Sequence, residues 1–114
     1  MCALTSIRAL CRAGAEAEAH AAGKAVNGDF LLHQAYSQAK GLHSPVLEAK
    51  ILNTMAVFAM EGKRAKAAIP LLAQARAKVD GRIGRNNKLY AVIANNLVQA
   101  EVAAIAESVA VSNN

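Results

Sequence analysis

The sequence predicts a small all-α domain of antiparallel helix–turn–helix pairs, and three observations carry that expectation. Alanine, the best helix former, supplies 27 of the 114 residues. The branched apolar residues stand between polar ones, without the sustained Val/Ile/Thr alternation of a strand. Gly, Pro and Asn recur at intervals of about one helix. A chain of this length makes one domain, 1–114. Its core is expected to be thin, because alanines bury little area and there are no Trp, two Phe and two Tyr.

Taken in order, the punctuation predicts helices near 3–13, 15–26, 29–42, 45–61, 63–79 and 86–111, five or six in all. Gly14 follows the first apolar-periodic segment, though alone it is a weak breaker, and one continuous helix over 3–26 is the alternative. "NGD" at 27–29 is a turn signal. In "GLHSP", Gly41 suits the end of one helix. Ser44 suits the N-cap of the next, and Pro45 its first turn, where a missing N–H costs nothing. Gly62 breaks the next run, and "DGRIGRNN" at 80–87 is the longest polar interruption. Beyond it, Lys88 to Val111 contains neither Gly nor Pro, which predicts one long C-terminal helix. Short linkers make successive helices antiparallel neighbours.

A period runs through this pattern. Gly28 and Gly62 are 34 residues apart, as are Ala22 and Ala56, Ala25 and Ala59, and Ala39 and Ala73. A helix–turn–helix repeat of 34 residues is the tetratricopeptide period, and Ala49–Asp80 resembles one such repeat. In that frame Met55 and Ala56 fall at the close contact between the two helices and Gly62 at the tight turn. Ala68 and Ala75 fall at small positions of the second helix, and Leu72 at its large one. Members of the family carry Pro after the Ala-Ile that here precedes Pro70, at the cost of one backbone bond to Lys66. The resemblance runs closest over 49–80, extends loosely to 15–42 and fades beyond 82, giving repeat pairs 15–42 and 45–80. A third repeat has two registers. Strict spacing puts a turn at Asn95-Asn96; a longer repeat keeps 86–111 as one helix, which the absence of Gly favours. The frame also predicts that Ala56→Leu is damaging while Ala65→Leu, on the expected exposed face, is not.

The resemblance implies a non-catalytic scaffold, or a small chaperone-like adaptor, whose first helices line a groove for a peptide or helix of a partner protein. The family often places an Asn one residue before the Leu against ligand backbone. Asn96 takes that place in the longer register and Thr54 in the closer repeat, with Lys50, Asn53, Val57 and Met60 on the same first helix. The last helix carries two apolar lines. Leu89, Ile93, Leu97, Ala100 and Ala104 form one; Val98, Val102, Ile105 and Val109 form the other. One line packs on the preceding pair, and the second needs a cover: a second copy, a client, or the N-terminal helix folded back.

Eight basic residues (Lys63, Arg64, Lys66, Arg76, Lys78, Arg82, Arg85 and Lys88) against Asp80 alone give 63–88 a net charge of +7, compared with +5 for the whole chain. Such a stripe binds phosphate or acidic peptide, or merely keeps an Ala-rich surface solvated. Tyr90 is the only aromatic near it, which argues against a single-strand nucleic-acid platform. A basic nucleic-acid-binding accessory protein stands as one alternative. Another is a histidine phosphotransfer bundle: "AHAAGKAVNG" at 19–28 is similar to the phosphoacceptor segment of those domains. His20 and Lys24 share a helix face, but Gly23-Lys24 reverses the family's order and only 19 residues precede His20.

Other chemistry finds no support. Cys2 and Cys11 have no CxxC spacing, and His20, His33 and His43 make no i, i+3 or i+4 pair, so neither a metal nor a cofactor is expected. No nucleophile–base set and no phosphate-loop motif is present, so no enzyme activity is expected. With no secretory leader and no unbroken apolar run of about 18 residues, the expected compartment is the cytoplasm, without a membrane partner.

Overall fold

The computed structural model describes residues 25–112, which form four helices and no strand: α1 (Ala25–Gly41), α2 (Pro45–Glu61), α3 (Ala65–Ile83) and α4 (Lys88–Ser112). The fold is all-α, as expected. The predicted helix 3–13 and most of 15–26 lie outside the described residues, as do Cys2, Cys11 and His20. α2 packs chiefly on α3 and α3 on α4, while α1 flanks α2 and α2 also touches α4.

α2 begins where the sequence places it. Ser44 is the N-cap, its hydroxyl accepting from the Leu47 N–H at 3.4 Å, and Pro45 opens the helix. The connections on either side of α2 are the same three-residue turn. In each the middle residue is left-handed, and it is not glycine: His43 at φ 52 and Lys63 at φ 63. Gly62 has an ordinary φ of −84, and a Cβ there would meet its nearest neighbours at 3.4 Å or more. The turn at 62 is therefore correct in place, but it does not depend on the freedom of a glycine.

Two other predicted boundaries move. "NGD" is no turn: Asn27, buried Gly28 and Asp29 lie inside α1. One glycine costs a helix about 1 kcal/mol, which the packing of Leu32, Ala35 and Ala39 outweighs. The 34-residue match of Gly28 with Gly62 consequently joins a mid-helix residue to a turn residue. Nor does α3 end at 79, before the expected turn. It runs on through Gly81 to Ile83 and stops at the second glycine of "DGRIG". Gly84 adopts φ 78, ψ −163, a region open essentially to glycine alone, and its N–H bonds the carbonyls of Val79 and Asp80. Asn87 then starts α4, accepting from the Tyr90 N–H at 2.8 Å and donating to the Gly84 carbonyl at 2.9 Å.

Among the described residues, half of the 18 buried apolar ones are alanines, so the helices approach closely around a few large side chains: Leu32, Ile51, Leu72, Val79 and Ile93. Met55, Ala56, Ala68, Leu72 and Ala75 are all buried in the α2–α3 seam. Ala65, expected on the exposed face, is fully buried. The cause is α4, whose Glu107 reaches across to the Ala65 N–H. A second point concerns the composition of α4. Lys88–Ala110 is, by length and composition, long and apolar enough to cross a membrane, with a mean hydropathy of 1.4. Its Asn and Glu residues interrupt any unbroken run. Here one side of it, Ile93, Leu97 and Ala100, is buried in the domain.

Candidate functional site

The proposed groove residues on α2 are Lys50, Asn53, Thr54, Val57 and Met60, spaced so that they share one helix face. The inward positions Ile51, Leu52, Met55, Phe58 and Ala59 are buried, which leaves the Lys50–Met60 stripe half-buried or exposed. Thr54 spends its hydroxyl proton on the Lys50 carbonyl at 3.0 Å. Met60 leans on the core.

Asn96 joins this stripe from α4. Its Nδ2 donates to Asn53 Oδ1 at 2.9 Å, across 43 residues of sequence. Two carboxamides from two helices are thus locked edge to edge in a partly buried position. An amide has two donor hydrogens and two acceptor lone pairs. After the shared bond, Asn53 keeps its N–H donors and Asn96 its carbonyl oxygen. A donor and an acceptor side by side are the complement of the N–H and C=O of one residue in an extended chain, which point to the same side. Sequence reasoning named both residues but not their pairing, because no local pattern reports a contact over that separation.

The basic residues do not form one surface. Lys63, Arg64 and Lys66 cluster at the start of α3, whereas Arg76, Arg82, Arg85 and Lys88 lie toward its end and the turn beyond. The 19 residues of α3 span about 28 Å. Lys78 is half-buried and pairs with buried Glu48 of α2 at 3.5 Å, tying the two helices together. Arg85 pairs with Asp80 at 3.2 Å. The hydrogen bond and charge of Asp80, with Tyr90 adding, hold the Arg85 guanidinium above its ordinary range. Arg76, Asp80, Arg85 and Tyr90 line a polar cleft of about 390 Å³. Arg64 lies 6.0 Å from the Phe58 ring centre.

The line Val98, Val102, Ile105 and Val109 is exposed along its whole length. Beside it runs an apolar groove of about 430 Å³ between Lys66 and Ile69 of α3 and Ala104, Ile105 and Ser108 of α4. The other line of α4 is the buried one, with Ile93, Leu97 and Ala100 facing inward and Leu89 and Ala104 half-buried.

Among the described residues no three His, Cys, Asp or Glu side chains come together as a metal site would need. His33 sits 3.5 Å from Asp29 on the surface of α1. No protein-family model, curated protein or solved structure matches the chain.

Proposed function

We propose that the chain is a non-catalytic interaction module of tetratricopeptide-like helical repeats, which binds an extended peptide or a helix of a partner protein along the face formed by α2 and α4. The observation that carries the proposal is the Asn53–Asn96 hydrogen bond at 2.9 Å. It fixes two carboxamides before any ligand arrives, so little side-chain freedom is lost on binding. Their free donor and acceptor suit the backbone of a peptide whatever its side chains. Val57 and Met60 offer apolar contact beside them, and Lys50 offers charge at the edge.

The test is selection of peptides from a random display library with the purified chain, followed by titration of a selected peptide by fluorescence anisotropy. Asn53→Ala and Asn96→Ala are each expected to weaken binding about tenfold or more, since each strands a polar group of the ligand, while leaving the helical circular dichroism unchanged. A selected peptide that binds both variants as tightly as the wild type would place the site elsewhere.

A further inference from the structure

The exposed face of α4 carries a line of large apolar side chains. Its four large apolar residues lie at 98, 102, 105 and 109, so the intervals are four, three and four. That spacing reads the same in both directions about a centre between Ala103 and Ala104. The side chains are 52 to 66% exposed. Four-three spacing is the apolar pattern of a helix seam. The opposite side of the same helix carries Ile93, Leu97, Ala100 and Glu107, all engaged within the domain.

We infer that α4 pairs with α4 of a second copy about a two-fold axis, antiparallel and centred between Ala103 and Ala104. A two-fold contact must present one patch to itself, and a palindromic apolar line does so in the antiparallel sense. Val98 then meets the partner's Val109, and Val102 meets the partner's Ile105. Charge agrees with this register. Lys66 and Glu101 border the groove on one flank of the line, both exposed and with no ion pair between them. In an antiparallel pair that flank faces the same flank of the other copy, which brings Lys66 toward the partner's Glu101 twice over. The line is roughly 16 Å long, so the interface is a small one and the dimer is expected to be weak and reversible.

The experiment is sedimentation velocity of the whole chain at roughly 1–100 µM. The wild type is expected to dimerise. Val102→Asp with Ile105→Asp is expected to give a monomer of unchanged helical circular dichroism, because both side chains are exposed within the protomer. K66E and E101K, each alone, are expected to weaken the dimer about tenfold or more, since each sets like charges together twice. Mixing K66E with E101K is expected to restore association, because every such pair is then of opposite sign. A wild type that stays monomeric across the range would overturn the inference and leave the face to the chain's own N-terminal residues or to a helix of another protein. A mixture that associates no better than its components would overturn the register.

Discussion

Replacing Glu107 removes a helix cap that comes from outside the helix. The first N–H groups of any α-helix have no partner within it. Arg64, at the N-cap of α3, makes no side-chain bond to them. Instead the Ala65 N–H donates to Glu107 of α4, at 3.1 Å to Oε1 and 3.4 Å to Oε2. Ala65 is fully buried and Glu107 half-buried, so water makes up only part of the bond when the carboxylate is removed. Leaving a buried donor unsatisfied costs about 1–3 kcal/mol. Glu107→Ala is therefore expected to destabilise by about 1–3 kcal/mol. Glu107→Gln keeps an acceptor oxygen and loses the charge at the positive end of α3, about 0.3–1 kcal/mol. Gln99→Ala, on exposed surface of the same helix, is expected to stay within about 0.5 kcal/mol. Urea unfolding followed by circular dichroism measures all three. Hydrogen exchange adds a local readout, because the Ala65 amide is expected to lose protection in Glu107→Ala. Equal losses for Gln and Ala, or no loss for either, would refute the capping argument.

Ala56→Leu and Ala65→Leu are both expected to destabilise by about 1–3 kcal/mol through overpacking, because both alanines are fully buried; thermal unfolding checks the pair. Gly84→Ala is expected to cost about 1–3 kcal/mol for its backbone conformation. Gly62→Ala, with φ −84 and no close contact, is expected to be near neutral; urea midpoints separate the two. A double-mutant cycle on Glu48→Ala and Lys78→Ala is expected to give a coupling of about 0.5–3 kcal/mol, since Glu48 is buried and Lys78 half-buried. A coupling near zero would show that the pair does not hold α2 to α3.

The sequence by itself determined the all-α class, the start of α2, the placement of α3 between two turns, and α4 as a single long helix. These rest on local physics. Ser44-Pro45 satisfies an N-terminus from its own side chain and ring, and a run from Lys88 without Gly or Pro has nothing to stop it. Periodicity alone also separated the two lines of α4, because side chains seven residues apart must share a face. Where two local options competed, packing decided. Gly28 stayed helical although Asn-Gly-Asp favours a turn, and of Gly81 and Gly84 only the second took the left-handed backbone. No sequence window holds the information for Asn96 meeting Asn53, Glu107 meeting Ala65, or Lys78 meeting Glu48. Each joins residues 30 to 43 apart. Such contacts follow from how the helices dock. Docking is set by the sum of many small alanine and leucine contacts, and no single residue pattern encodes it.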